Sequence, residues 1–308
     1  MTGMTSREDI RHFLSGDAAC ILVEVSGAAG STPRDTDAWM LVSKDRTFAT
    51  IGGGQLEYMA IDHARQLLKG AATDDRLTIP LGPEIGQCCG GRVALAFKAV
   101  DPETRAALIA RRDTEIAHRP HVYVFGAGHV GGALAMALSL APVRTVLVDT
   151  REPELSAVDV PGIETCLTAM PEAVVRDAPP GSAFVILTHD HALDFLIAAE
   201  ALGREDSCYV GMIGSKTKRA TFKNWLSRDI ERPELFGRLV CPIGGTAVKD
   251  KRPAVIAALA AAEILTAALT QQPRGAAANE RKSVKPKADS PLPGGEYPIL
   301  VAKTPFST

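Results

Sequence analysis

The chain has 308 residues, a formal net charge of -2 and an apolar fraction of 46%. This length suggests two domains, and the composition is that of an ordinary soluble globular protein. Near-neutral charge argues against nucleic acid as the main partner, because binding a phosphate backbone requires clustered lysine and arginine. Residues 1–14 are polar and charged and do not resemble a signal peptide, which favours a cytoplasmic protein.

Neither the apolar runs nor the cysteines suggest a membrane or secreted protein. The most apolar stretch, residues 253–269, is rich in alanine and has Glu263 in its middle, which predicts a packed helix and no membrane span. The six cysteines are scattered, apart from the adjacent pair Cys88 and Cys89. This is not the pattern of a secreted disulfide framework, and a reducing cytoplasm fits it better.

The first third of the chain mixes short strands with a few helices. Strands are predicted over residues 20–25, 38–42, 47–51, 77–80 and 93–97, and helices over 7–14, 55–68 and 101–112. Residues 26–34 and 81–91 are expected to form loops. The pattern indicates an N-terminal α+β domain, which we place at residues 1–112.

The rest of the chain alternates strands with helices. Strands are predicted over 121–125, 145–148, 162–166, 183–187, 209–213 and 238–240, and helices over 130–140, 171–176, 192–202, 215–227 and 253–268. This alternation predicts a Rossmann-like, doubly wound α/β domain at residues 113–270. Residues 271–308 have almost no apolar periodicity, and we expect them to be a flexible, disordered tail.

A G-x-G-x-x-G turn follows the strand predicted at 121–125. In such turns the first glycine, here Gly126, permits the sharp bend, and the second, Gly128, lets the backbone approach a pyrophosphate. The third, Gly131, allows close packing of helix and strand. Asp149 ends the following strand, which completes the Rossmann pattern. The pattern predicts a fold and an anion site at the helix start, but the same fold supports many chemistries.

A second glycine turn consists of Gly52, Gly53 and Gly54, between a predicted strand and a predicted helix. Backbone N–H groups in such a turn can hold an anion such as phosphate. Gln55 and Glu57 follow in the first helical turn and belong to the same predicted site. The alternative for Glu57 is purely structural, since an acidic residue there complements the helix dipole and can cap the helix.

The loop at residues 86–91 contains the adjacent thiols of Cys88 and Cys89 among three glycines. Neighbouring Cα atoms lie ~3.8 Å apart, whereas disulfides prefer roughly 4.4–6.8 Å, so a disulfide here would be strained. The two thiols suit a soft metal, a thiolate nucleophile or a persulfide. Zinc is not favoured, because no second ligand pair lies at the usual spacing. The structural alternative is a pair of small buried residues.

Polar residues also follow two strands of the predicted parallel sheet, where open α/β sheets bind ligands. His189 and His191 would share a side if the strand pattern continued, and could then bind a metal or polar ligand. The alternative is that Asp190 merely caps the next helix. Ser215 and Lys216 open a basic helix that could hold a phosphate or could simply face solvent.

Several motifs, in order along the chain, resemble those of the xanthine dehydrogenase accessory proteins, the XdhC family. In the first half they are GSTPR at residues 30–34, IGGGQLE at 51–57 and LGPEIGQCCGG at 81–91. Arg34, in the first of these, could bind a phosphate or carboxylate through its guanidinium fork. In the second half they are VFGAGHVG at 124–131, THDHALD at 188–194, YVGMIGSKTKRA at 209–220 and CPIG at 241–244. The resemblance extends over residues 10–269. One departure is local, since GTAVKD follows CPIG where relatives often carry a further Ile-Gly pair.

The resemblance implies a two-domain accessory protein that is not itself the catalyst of xanthine oxidation. Family members bind the molybdenum cofactor, Mo-molybdopterin, transiently and protect it while a cysteine desulfurase supplies its sulfido ligand. They then deliver it to the apo-subunit of xanthine dehydrogenase, and they are commonly homodimers. We expect the same cofactor and partners here, with no nucleic acid and no membrane.

The cofactor has a phosphate at one end and a soft Mo–dithiolene group at the other. We hypothesise that Gly52–Gly54 holds the phosphate and that Cys88 and Cys89 contact molybdenum. A rival hypothesis is an NAD-dependent oxidoreductase in which Asp149 binds the adenosine ribose and disfavours a 2′-phosphate, although the nearby Arg151 weakens the inference about the phosphate. Against this rival, no proton-transfer constellation is evident and the adjacent cysteines lie in a separate domain. A third is an interaction scaffold without a small ligand, against which the glycine loops argue.

Overall fold

The computed structural model describes residues 10–15, 19–30, 38–82 and 91–270. The predicted tail at 271–308 and three predicted site residues, Arg34, Cys88 and Cys89, lie outside them. The N-terminal domain contains β1 Ile21–Ala29, β2 Trp39–Val42, β3 Thr47–Ala49, β4 Arg76–Pro80 and β5 Arg92–Ala99, with helices α1 Ile10–Leu14, α2 Gly54–Leu68 and α3 Pro102–Ala117. The strands form an antiparallel sheet in the order β3-β2-β1-β5-β4.

Helices cover both faces of this antiparallel sheet. On one face α2 buries Leu56 and Ala60 against strand residues such as Val23. On the other, Phe13 of α1 and Leu108 of α3 pack in a separate apolar cluster with strand side chains. Alternating strand side chains therefore supply two cores, which explains why strands of the N-terminal domain contain so few polar positions.

The expectation that the chain leaves β1 at Ser26 is wrong. β1 continues to Ala29, because an irregularity between Val25 and Gly27 shifts the register and lets residues 27–29 pair with the start of β5. An extra residue of this kind bends a strand without ending it, and the glycine-rich sequence around it imitates a loop. The helix α3 also runs past the domain boundary predicted after Arg112, and that boundary stays a prediction.

The second domain confirms the Rossmann-like α/β prediction. Its strands are β6 His121–Phe125, β7 Arg144–Asp149, β8 Glu164–Leu167, β9 Ala183–Ile186, β10 Tyr209–Met212 and β11 Leu239–Val240. Its helices are α4 His129–Leu138, α5 Glu152–Ser156, α6 Pro171–Asp177, α7 His191–Gly203, α8 Lys216–Arg228 and α9 Pro253–Thr270, with a 3-10 helix at Pro233–Arg238. Every strand pair is parallel, in the order β11-β10-β9-β6-β7-β8. The short helices α5 and 233–238 were not anticipated, because each is too brief to show periodicity.

The parallel sheet is covered on both faces. Leu134 of α4 and Ile264 of α9 pack with Val124 in one cluster. Phe222 of α8 and Ile197 of α7 pack with strand residues in the other cluster, on the opposite face. Because both faces are buried, the strands are continuous apolar runs. Within the described residues α9 alone is long and apolar enough to cross a membrane by length and composition, and it packs against α4 in this fold.

Candidate functional site

The described residues that flank the three N-terminal motifs lie at one edge of the antiparallel sheet. At this edge β1 ends at Ala29, β2 begins at Trp39, β3 ends at Ala49, β4 ends at Pro80 and β5 begins at Arg92. The segments that carry GSTPR, IGGGQLE and GQCCGG therefore all start and finish on the same side of the sheet. β1 and β5 extend further than β2 at this edge, because β1 pairs with β2 only as far as Glu24 but with β5 as far as Ala29.

The glycine turn has a backbone that side chains disfavour. The φ angles of Gly52, Gly53 and Gly54 are 130°, 76° and 66°, all in the left-handed region. Inside the turn the Glu57 carboxylate oxygen Oε2 accepts hydrogen bonds from the N–H groups of Ile51 and Gly53, both at 3.1 Å. The same oxygen accepts a hydrogen bond from the Thr50 hydroxyl.

The Glu57 carboxylate thus occupies the inner side of the turn and makes the capping contacts expected of the structural alternative, and its role in ligand binding stays a prediction. A phosphate held by these glycines would have to bind on the outer side, where Gly52, Gly54 and Gln55 are exposed. The anion-binding role of the glycine turn stays a prediction. The roles of Arg34, Cys88 and Cys89 also stay predictions, because these residues lie outside the described ranges. Of the residues that flank the two cysteines, Leu81 donates its N–H to the Gly91 carbonyl at 2.8 Å.

The G-x-G-x-x-G turn lies at the carboxyl edge of the parallel sheet, and its glycines have different jobs. A Cβ on Gly126 would lie 2.4 Å from the Leu187 carbonyl oxygen, and φ there is 112°. A Cβ on Gly131 would lie 1.8 Å from the Gly126 carbonyl oxygen. Both are required for packing. A Cβ on Gly128 would meet open space, so this glycine leaves a surface that a ligand could approach.

Asp149 lies at the end of β7, as expected, and its carboxylate is bound by the glycine turn and by Arg151, two residues further on. Its carboxylate accepts hydrogen bonds from the Ala127 N–H and from the Arg151 side chain. Burial alone would raise the pKa of this carboxyl, but the hydrogen bonds from Arg151 and Ala127 outweigh it and hold the pKa below its ordinary value. Asp149 is therefore an ionised, fully engaged group.

The two histidines are not brought together as a ligand pair by strand geometry. β9 ends at Ile186, so the alternation that would place His189 and His191 on one side does not reach them. Both side chains are exposed, and the Asp190 carboxylate caps α7 by accepting from the N–H groups of Ala192 at 2.7 Å and Leu193 at 3.3 Å. The described residues contain no cluster of three or more metal-ligating side chains.

A buried ion pair at the same edge was missed by the sequence reasoning. Lys218 of α8 donates from Nζ to Oδ2 of Asp194 on α7. The Asp194 side chain is 0% exposed and the Lys218 side chain 7%. Oδ1 of Asp194 also accepts from the Thr188 N–H at 2.9 Å and hydroxyl at 2.7 Å. The pair thus ties the loop after β9 to the helix after β10.

The basic helix begins at this edge with Ser215 as its cap. The Ser215 hydroxyl oxygen accepts from the Lys218 N–H at 3.2 Å, while the Lys216 side chain is exposed. Serine there has a structural role, and a phosphate would meet chiefly Lys216. The phosphate role of these two residues stays a prediction.

The CPIG segment is held by a glutamate from the apolar helix α9. Oε2 of Glu263 accepts from the Tyr209 hydroxyl at 3.0 Å and from the Gly244 N–H at 2.9 Å. Burial and the neighbouring carboxylate raise the pKa of Tyr209, so its hydroxyl remains a donor. Cys241 begins the same segment, and a Cβ added to Gly214 would lie 3.3 Å from the Cys241 sulfur. Burial raises the pKa of the Cys241 thiol. The sequence signal for the contact between α9 and the CPIG segment was Glu263, an acidic residue in an otherwise apolar helix.

Fold and site together define a two-domain α/β protein whose glycine-rich motifs lie at the edges of two sheets. Family comparison then identifies the relatives. Residues 14–79 match the profile of the XdhC and CoxI family, and residues 122–264 match the XdhC Rossmann domain. The chain belongs to the XdhC family, and the resemblance inferred from its motifs is confirmed.

Individual relatives agree with this assignment. The uncharacterised protein YqeB of Escherichia coli is 27% identical over 254 residues, which is 79% of this chain but 42% of YqeB, so the chain spans less than half of that relative. A Bacillus halodurans crystal structure described as a xanthine dehydrogenase has the same fold, with 18% identity, a TM-score of 0.71 and coverage of 86% of this chain and 97% of that one. The NAD(P)-binding domain of an exopolyphosphatase-related protein from Archaeoglobus fulgidus aligns at 19% identity over 41% of this chain and 89% of that one, with a TM-score of 0.32 that carries no weight.

Proposed function

We propose that this protein is a maturation factor of xanthine dehydrogenase that binds the molybdenum cofactor, protects it during sulfuration and passes it to the apo-enzyme. The observation that carries the proposal is that the described residues flanking three family motifs lie at one edge of the N-terminal sheet, so that one ligand there could meet all three segments. Membership of the XdhC family in both domains supports it, as does the description of the Bacillus halodurans structure as a xanthine dehydrogenase.

The residue types in these three segments suit the two ends of the cofactor. Thiolates are the preferred protein ligands of soft metal centres, and Cys88 and Cys89 supply two of them. Arg34 can bind a phosphate through its guanidinium fork. Because Glu57 occupies the inner side of the glycine turn, the phosphate would be met by the exposed backbone at Gly54 and the start of α2.

In this proposal the protein carries the cofactor as cargo and performs no oxidation of its own. A cysteine desulfurase would act on the bound cofactor, and apo-xanthine dehydrogenase would receive it. The chain would work as a homodimer in the cytoplasm. The accessory role is supported by family membership.

An anaerobic retention assay tests the proposal. Purified protein is mixed with molybdenum cofactor, desalted, and analysed for co-eluting molybdenum and pterin. We expect near-stoichiometric retention by the natural chain and loss of retention in the double variant C88S/C89S. The matched control C166S/C208S changes two cysteines of the Rossmann-like domain and should retain the cofactor. Retention that survives C88S/C89S would exclude the cysteine contact, and no retention by the natural chain would exclude the chaperone role.

A further inference from the structure

We infer that Arg151 sets the ligand specificity of the Rossmann-like domain: by saturating Asp149, it denies the ribose diol of an NAD-type dinucleotide its acceptor. The inference goes beyond the proposed function, because it concerns the second domain and holds whichever residues bind the molybdenum cofactor. In dinucleotide-binding Rossmann domains the acid at the end of the second strand accepts hydrogen bonds from the adenosine ribose. Here Asp149 occupies that position at the end of β7, and β7 pairs with β6.

Every acceptor position of Asp149 is already used. Oδ1 accepts from the Arg151 backbone N–H and from Arg151 Nε, each at 3.0 Å. Oδ2 accepts from the Ala127 N–H at 2.7 Å and from Arg151 Nη2 at 3.0 Å. An ionised carboxylate offers about four lone-pair sites, and these four donors fill them. A ribose hydroxyl could bind only by displacing one of the charge-assisted hydrogen bonds, which are the strongest kind.

The Asp149 carboxylate is also buried, and its partner Arg151 is held by a second carboxylate. The Asp149 side chain is 4% exposed, whereas the Arg151 side chain is 33% exposed and covers it. Arg151 is anchored on its other side, since its Nη1 donates to Glu154 of α5 at 3.1 Å. Two separate carboxylates therefore hold the guanidinium against the Asp149 oxygens that a ribose would need.

Removal of the Arg151 side chain should open the acceptor. In Arg151→Ala the backbone N–H still donates to Oδ1 and Ala127 still donates to Oδ2, so one lone-pair site is freed on each oxygen. Those two sites match the two hydroxyls of a ribose diol. A hydrogen bond to a charged group contributes enough to tighten binding about tenfold or more. We therefore expect the variant to gain affinity for dinucleotides that the natural chain lacks.

The test is a fluorescence titration with NADH, with ADP-ribose as competitor. The natural chain should show no saturable binding over the concentrations tested. Arg151→Ala should bind saturably, with a dissociation constant at least about tenfold below the lower limit set for the natural chain, and the double variant D149N/R151A should lose this gain. Two controls keep Asp149 saturated and should gain nothing: Glu154→Gln, at the other partner of Arg151, and Arg144→Ala, which breaks the exposed pair with Glu164 at the opposite end of β7.

Two results would overturn the inference: saturable NADH binding by the natural chain, or a folded Arg151→Ala variant with no gain. Circular dichroism checks folding, and Arg151→Lys, which cannot make the two-pronged contact, repeats the test if the alanine variant does not fold. Molybdenum cofactor retention is measured on the same samples. A failure of the specificity inference then appears in the NADH titration alone, and a failure of the proposed function appears in the retention assay alone.

Discussion

Removing the positive charge of Lys218 should destabilise the Rossmann-like domain more than any comparable surface change. Lys218→Met keeps most of the side-chain length but leaves the Asp194 carboxylate, which is 0% exposed, without its counter-charge. The remaining partners of that carboxylate are the Thr188 N–H and hydroxyl, both on Oδ1. Oδ2 loses the donor that Lys218 provides. A buried, uncompensated charge is the predicted result.

The loss in free energy of unfolding distinguishes a buried ion pair from an exposed one. Breaking a buried pair by removing one partner costs about 3–5 kcal/mol. Removal of one partner from an exposed pair costs about 0–1 kcal/mol. The double variant D194N/K218M leaves no buried charge, and the amide oxygen that replaces the carboxylate can still accept from Thr188. It should therefore be more stable than Lys218→Met alone.

Urea denaturation followed by tryptophan fluorescence measures the free energy of unfolding. The chain contains two tryptophans, and Trp39→Phe leaves Trp225 of α8, whose ring centroid lies 5.7 Å from Phe195 and 5.9 Å from Phe222. All variants are made in that background. Arg176→Met, which breaks the exposed pair with Glu200 of α7, is the matched control. A loss below about 1 kcal/mol for Lys218→Met, or a double variant no better than the single one, would refute the reasoning.

Three further predictions follow from contacts. Gly131→Ala should lower the melting temperature strongly or prevent folding, because its Cβ would lie 1.8 Å from a carbonyl oxygen, whereas Gly128→Ala should melt like the natural chain; equal melting temperatures would contradict this. Glu57→Ala should cost about 1–3 kcal/mol in urea denaturation, because the partly buried turn loses the charged acceptor of two N–H groups, and an unchanged midpoint would count against that role. Because the pKa of Asp149 is lowered in the folded state, its contribution is present above the unfolded value near 4 and lost as pH falls through the folded pKa. The natural chain should thus exceed Asp149→Asn in stability at pH 7 and lose that advantage at low pH, as denaturation at the two pH values would show.

Local patterns predicted what depends on local geometry. The spacing of Gly126, Gly128 and Gly131 placed the turn between β6 and α4 correctly, because strand, turn and helix are contiguous in sequence. The capping role of Asp190 was foreseeable for the same reason, since the acceptor and the N–H groups are two and three residues apart. The family motifs predicted both domains.

Contacts between distant segments were not predictable in this way. Asp194 and Lys218 are 24 residues apart, and they meet only because α7 and α8 pack on the same face of the parallel sheet. The saturation of Asp149 depends on the direction in which the chain turns at Arg151, which residue types alone do not specify. The extension of β1 past Ser26 depends on pairing with β5, far along the chain.

The most direct test of the maturation role is transfer of the cofactor to apo-xanthine dehydrogenase. Apo-enzyme is mixed anaerobically with sulfurated molybdenum cofactor, either free or preloaded on this protein, and xanthine oxidation is measured. We expect preloaded cofactor to restore activity faster and to a higher level, and C88S/C89S to give no advantage over free cofactor. Equal activation with and without this protein, under conditions where C166S/C208S also behaves like the natural chain, would contradict the account.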